Sequence, residues 1–469
     1  MEKYDAIIIG TGIGGAAIGA LLAHAGWKVL IMDKNPIVGG RCTSYEHKGF
    51  TLDLGVHLFG VGDKGSLGDV LRMTGAPDAI EWVTVKRSTQ QVGEDVRRYS
   101  QQSMLRSIPA EEQNNLINLF ANVHMMTDKE INELWYTSVA EWMSGFTRHP
   151  LSHALIDSIV KQYFCIPSST ASAAEFIKCF RSVLVARSSA YPKGGCIEIP
   201  RAYLSVLEKH GGKVRLNAKV EKIIIEGGEA VGVSMMDGTE LRAPVVISNA
   251  DIKATVEMLV GPQYFSKEYL DAIGGLTYSD SCIMLKVGLK EKITDDQLRM
   301  YIPYDDPTTD AAGQRTGTTR VIPEKIVGMI VIPTNFDPAL GPDEDKQLIC
   351  FGACIGTARD FNSQDWDAWR ETLRNSLYSA FPEAKDKVLW EKMDTPQLVH
   401  AYAGEDGAII GAGQTVNQIH QRRLSVTSPL TGLYYCSAEA GGHGIGTELA
   451  ASSALELFHL LNEGRESHR

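Results

Sequence analysis

Between Gly10 and Gly15 the chain reads Gly-Thr-Gly-Ile-Gly-Gly, with Ile13 set among the glycines. Such a run can bring backbone N–H groups against a diphosphate, because no Cβ keeps the ligand away. Near the other end, Gly441-Gly442-His443-Gly444-Ile445-Gly446-Thr447-Glu448 forms a second glycine-rich turn. Four side chains in or near turns of this kind could carry a proton: His57, His443, Glu448 and Tyr402. No Ser-His-Asp order and no metal-ligand cluster stands out, so a bound organic cofactor is the expected reaction centre.

Turns place groups accurately only when rigid elements flank them. Tyr4 to Ile9 reads as a short buried strand, and Ala16, Ala17, Ala20, Leu21, Leu22 and Ala23 as the helix after the turn. A second strand, Val29 to Met32, ends on Asp33 and Lys34, close to the ~20-residue offset at which an acid meets a ribose hydroxyl. In that frame the glycines make the turn and the positive helix N-terminus attracts a pyrophosphate. Asp33 would repel a 2′-phosphate, which leaves FAD or NAD rather than NADP. Val38-Gly39-Gly40-Arg41-Cys42 then adds a glycine pair and a fork-shaped cation, and Phe50 to His57 alternates as a strand through Gly55 and Val56. Toward the end, Gly432 to Leu461 reads strand, glycine turn, long helix.

With 46 basic and 57 acidic residues among 469, the net charge of −11 argues against a nucleic-acid partner. The eight cysteines include no CxxC pair and no zinc or disulfide spacing, which suggests a reducing compartment. The chain runs straight into its first strand and contains no apolar run of ~18 residues. A cytoplasmic location is expected, with peripheral membrane contact left open.

In chain order, Gly10–Gly15, Gly39-Gly40-Arg41, Tyr191-Pro192-Lys193-Gly194-Gly195, Ser248-Asn249-Ala250-Asp251 and Ser437–Gly446 resemble the bacterial phytoene desaturase and carotenoid isomerase family. That family lies within the amine-oxidase-like FAD superfamily. The resemblance implies an α/β fold: a discontinuous Rossmann-type FAD-binding domain plus an α+β substrate domain with a mixed sheet and a helical cap. The cofactor would be FAD, bound non-covalently since no attachment signature is seen, although Cys436 lies near the site. Gly10, Gly12, Ile13, Gly14, Gly15, Asp33, Lys34 and Gly40 would hold the dinucleotide, with Arg41 on the pyrophosphate. Gly55, Val56 and His57 would pass the isoalloxazine ring, and the backbone of Val220 would meet the adenine. Glu439 would accept hydrogen bonds from the ribityl chain, while Gly446 and Thr447 would open a helix facing the flavin.

The FAD domain is expected over 1–75, 192–280 and 405–469, and the substrate domain over 76–191 and 281–404. Residues 109–186 read as mainly helical, with Leu116, Ile117, Phe120, Val123, Met125, Met126, Trp135 and Trp142 as core or as an apolar wall. Strands are expected at Ile283–Val287, Val327–Ile332 and Leu348–Ala353. Lys286, on the first of these, is expected to be exposed unless it resembles the flavin-proximal lysine of amine oxidases. The leading expectation is a desaturase of an apolar isoprenoid or alicyclic substrate, with oxygen, a quinone or another molecule as electron acceptor. Flavin-dependent isomerisation or saturation, amine oxidation, and prenyl binding without catalysis are the alternatives.

Overall fold

Ala6–Ile9 is apolar at every position and buried on both faces, as a strand inside a parallel sheet must be. In the computed structural model, which describes residues 3–55, 57–303, 315–316, 319–320, 322–356 and 365–466, it is the central strand of a five-stranded parallel sheet. The order across that sheet is Leu433–Tyr435, Val245–Ser248, Ala6–Ile9, Val29–Met32, Lys213–Arg215. The two ends of the chain are therefore in one sheet, and both glycine turns leave from its carboxyl edge.

The helix Ile13–His24 shows why this segment is so rich in small residues. It is packed between the sheet and the helices Glu198–Lys209 and Thr447–Glu466, and all but its last residue are buried. A Cβ on Gly19 would stand 2.7 Å from the Leu207 side chain, so the close approach depends on a glycine there. A three-stranded antiparallel sheet, Val220–Glu226, Glu229–Met235 and Glu240–Arg242, lies in the chain between the parallel strands Lys213–Arg215 and Val245–Ser248.

A second large sheet has seven strands in the order Val388–Asp394, Cys282–Leu289, Gln347–Cys354, Gly328–Val331, Leu298–Ile302, Ser88–Val92, Asp95–Arg98. It is mixed: Leu298–Ile302 runs parallel to Ser88–Val92, and the remaining neighbours are antiparallel. The strands at Ser88–Val92, Asp95–Arg98 and Val388–Asp394 have polar, weakly alternating sequences and were not expected. The helices Ala110–Met125, Pro150–Phe164 and Ala173–Ala186 gather around a separate apolar cluster. Leu116, Phe120, Val123, Trp135 and Trp142 belong to the core of that cluster, whereas Ile117 and Met125 face solvent. Leu116, Phe120, Val123, Trp135 and Trp142 hold the helices together and line neither of the two cavities described below. Among the described residues, no helix is long and apolar enough to cross a membrane.

Candidate functional site

A cavity of about 730 Å³ opens at the carboxyl ends of the parallel strands. Its wall takes in Gly10, Gly12, Ile13 and Gly14 from the first turn, and Asp33, Lys34, Gly40 and Arg41 from the segment after the second strand. Gly55, His57, Val220, Tyr402, Gly446 and Thr447 also line it. Val56 lies outside the described residues. Gly15 is absent from the wall, and its glycine is required for another reason: a Cβ there would sit 2.1 Å from the Gly10 carbonyl oxygen. At Gly14 the Cβ would meet the Cys436 carbonyl at 2.4 Å, and at Gly12 the Asn249 Oδ1 at 2.5 Å. The first turn is therefore glycine-rich chiefly so that the C-terminal strand and Asn249 can press against it. Asn249 Nδ2 donates to the Cys436 carbonyl at 2.6 Å and its amide to the Ile9 carbonyl at 2.8 Å, so this mid-chain residue links the two ends.

Asp33 is almost fully buried and fixes the turn across from it. Its Oδ2 accepts from the Thr11 amide at 2.8 Å and the Thr11 hydroxyl at 2.6 Å, and its Oδ1 accepts from the Asn35 amide at 2.8 Å. Arg41 donates to the Ala408 carbonyl at 3.4 Å, and Glu439, Asp251 and the Tyr278 hydroxyl lie within electrostatic reach of it. Burial lowers the Arg41 pKa, and these neighbours act to keep its charge.

His57 marks the opposite end of the cavity. Burial alone would push its imidazole down, but the facing Cys196 sulfur and the Asp53 carboxylate, 3.9 Å from Nδ1, outweigh that, and its pKa is pulled up to about 9. Asp53 is itself held by the Tyr191 hydroxyl at 2.5 Å, the Ser44 hydroxyl at 2.6 Å and the Cys196 amide at 3.0 Å. Behind it is Lys286, which is wholly buried rather than exposed. Its ammonium pairs with Asp394 and donates to the Asp53 carbonyl and, at 3.3 Å, to the Tyr45 hydroxyl. Lys392 pairs with the other Asp394 oxygen, and the two ammonium groups hold that carboxyl low despite its burial. This network fixes the backbone of Asp53 and Leu54, from which Gly55 and His57 continue.

A second cavity, of about 580 Å³, lies between the helix Pro150–Phe164 and the mixed sheet. Ile108, Leu155, Met284, Met300, Ile302 and Val327 give it a mainly apolar wall. Gln162, Cys165, Met329 and Ile409 line both cavities, so the two adjoin.

The Flavin containing amine oxidoreductase model matches residues 13–456, nearly the whole chain. The chain belongs to this family. Its relatives include the all-trans-retinol 13,14-reductase of Danio rerio, 24% identical over 92% of this chain and 82% of that protein. The chloroplastic prolycopene isomerase of Daucus carota is 24% identical over 87% of this chain and 72% of its own length. Among solved structures, an oxidoreductase from Methanosarcina mazei superimposes with a TM-score of 0.75 at 20% identity, covering 97% of this chain and 99% of that one. The protein is thus a flavin oxidoreductase, and the mixed α/β architecture is that of the amine-oxidase-like flavoproteins.

Two features suit a flavin nucleotide. The N-terminus of Ile13–His24 borders the cavity, and a Cβ on Gly446 would meet nothing within 4 Å among the described residues. Glu439 adds a third, although it lies behind the wall rather than on it. Its Oε2 accepts from the Ile252 amide at 2.8 Å, while the buried Oε1 has no hydrogen-bond partner among the described residues. Burial first, and then the Asp251 carboxylate, raise the Glu439 pKa.

The other two candidates of the C-terminal turn point away from the cavity. His443 is 62% exposed, with its Nδ1 3.4 Å from Glu175 Oε2. Glu448 accepts from the Leu67 amide at 3.3 Å and so caps the helix Ser66–Met73; burial pushes its carboxyl up to about 8. Of the four proton-carrier candidates, only His57 and Tyr402 face the flavin family's cavity. Sequence reasoning missed Asn249, Asp251 and Tyr278 as wall residues; the Ser248–Asp251 motif was the available signal.

Proposed function

We propose that this chain binds FAD non-covalently and moves hydride between it and a carbon–carbon bond of an apolar isoprenoid or alicyclic molecule, the leading case being desaturation. The observation that carries this reading is the adjoining of a glycine-lined, charged cavity and an apolar one at Gln162, Cys165, Met329 and Ile409. FAD, when bound, supplies the hydride acceptor or donor. On this reading the first helix N-terminus and Arg41 hold its phosphates, and the 55–57 segment positions the ring. His57 handles the proton at the reacting carbon. The names of the retinol reductase and the prolycopene isomerase support an isoprenoid substrate.

One observation favours a second reading, saturation or isomerisation. The Asp53 carboxylate 3.9 Å from His57 Nδ1 favours the protonated imidazole, which can give a proton, as addition to a double bond requires. Desaturation needs it as a base. The two sheets draw their strands from separate sets of segments, which supports the division into 1–75, 192–280 and 405–469 for cofactor and 76–191 and 281–404 for substrate. The eight free thiols support a reducing, cytoplasmic setting.

Acid denaturation and filtration, with mass measurement of the filtrate, should release FAD from the polypeptide. Anaerobic mixing with saturated and polyene isoprenoids then separates the readings. Bleaching of the oxidised flavin by the saturated partner marks a desaturase, and recovery of colour in the photoreduced protein on adding the polyene marks a reductase. Flavin retained on the denatured chain, or neither a flavin response nor a changed double-bond geometry in the polyene, overturns the proposal.

A further inference from the structure

Three thiols line the apolar cavity: Cys165, Cys282 and Cys354. Their sulfurs all lie within 4.8 Å of one another. Cys282 and Cys354 are register partners on neighbouring antiparallel strands, with their Sγ atoms 3.2 Å apart. Cys165 comes from the helical side, where it ends Pro150–Phe164 in the left-handed conformation at φ 49°. Its carbonyl accepts from the Asp280 amide at 2.7 Å, which ties this third thiol to the segment leading into the Cys282 strand. The triad thus bridges the two walls of one cavity.

One ammonium group lies close to the sulfurs. Lys161 lies one turn before Cys165 and lines the same cavity. It pairs with Asp157 at 2.8 Å, and its ammonium also acts on Cys354 and Asp280.

We propose that Cys165, Cys282 and Cys354 form a three-thiolate site for one thiophilic d10 cation of the zinc and copper(I) class. Tetrahedral bonds of ~2.3 Å to sulfur separate the sulfurs by about 3.8 Å, so closing on an ion takes thiol movements of about 1 Å or less. Soft thiolates select such ions over magnesium or calcium. Three metal–sulfur bonds form, the thiol protons pass to solvent, and no electron moves. A divalent ion with three thiolates carries one net negative charge, and Lys161, already paired with Asp157, is a cation of the same cavity. The fourth coordination position opens on the cavity.

This proposal is independent of what the cavity accepts as substrate, because binding is read without any. The reduced, chelator-stripped, flavin-loaded full chain is titrated anaerobically with Cd²⁺ while the thiolate-to-cadmium ultraviolet charge-transfer band is followed; Zn²⁺ is then measured by competition with a chromophoric chelator. One equivalent should bind with the intensity of three thiolates. Cys165→Ser, Cys282→Ser and Cys354→Ser should each weaken it at least ~10-fold. Cys42→Ser, which removes a thiol from the separate Cys42–His57–Cys196 group, should leave it unchanged. A wild-type chain with no saturable band overturns the site. So does an undiminished band in a Cys282→Ser/Cys354→Ser protein whose circular dichroism and flavin content match wild type, or loss of the band in Cys42→Ser.

Discussion

The two adjoining cavities are built in opposite ways. Around the first, much of the wall is backbone and small residues at the ends of parallel strands, with many charged side chains among them, Asp33, Lys34, Arg41, Asp251 and Lys253 included. Around the second, the wall is mostly apolar side chain, contributed by a helix and by strands that lie far apart in sequence. The first can therefore recognise a ligand through directional hydrogen bonds and a helix dipole, whereas the second recognises shape and hydrophobicity. A chain that combines both suits a polar cofactor meeting an apolar substrate.

The largest test of this contrast concerns the proton. His57→Gln should keep its flavin and lose turnover by ~10²–10⁴, the usual range for a general acid or base, while His443→Gln stays near wild type. Steady-state kinetics with retained flavin absorbance measures both. Equal losses in the two variants would mean that facing the cavity does not decide the role.

Next in size is the support beneath His57. Lys286→Met leaves Asp394 buried without its main partner and should cost ~3–5 kcal/mol of unfolding free energy in urea; adding Asp394→Leu should recover most of it. A single variant as stable as wild type would show that the network does not hold the 53–55 backbone.

A smaller effect is expected at the cofactor. Arg41→Ala should raise the flavin dissociation constant roughly ten- to a hundredfold, the loss of a charge-assisted hydrogen bond. Glu439→Gln, behind the wall, should change it less. Fluorescence titration of the apoprotein compares them, and the reverse order would put Glu439 in direct contact with the ligand.

The mildest change is in pH dependence. The Glu448 carboxyl is raised from 4.5 to about 8, so its contribution to stability is full below 4.5 and is lost as pH rises through about 8. Glu448→Gln should flatten the stability profile between those limits without affecting turnover. An unchanged profile in urea unfolding would remove Glu448 as its source.

The legible parts of the site are contiguous ones. Gly10 to Gly15, Asp33 and Gly39 to Arg41 are neighbours along the chain because a strand, a turn and a helix bring local residues to one spot. The strand Ile283–Val287 was visible from the apolar residues on either side of Lys286, but Lys286 itself was not readable as buried. Its partners, Asp394 and Tyr45, are more than a hundred residues away, and nothing local records the pairing. The same holds for Glu448, which has the right spacing for a catalytic turn yet turns toward the helix Ser66–Met73.

By itself the sequence determined the parallel-strand frame, the two glycine turns and the acid at the second strand's end, because period, glycine and helix-start signals are short-range. It also determined the family, since those motifs occur in one order along almost the whole chain. Tertiary structure alone decided which candidates face the cavity and why each glycine is needed. It decided as well that Lys286 is buried in a charge network and that three distant cysteines meet. The physical reason is that burial and pairing are set by long-range packing: a side chain's pKa and direction depend on groups contributed by other elements, and sequence spacing does not encode those distances.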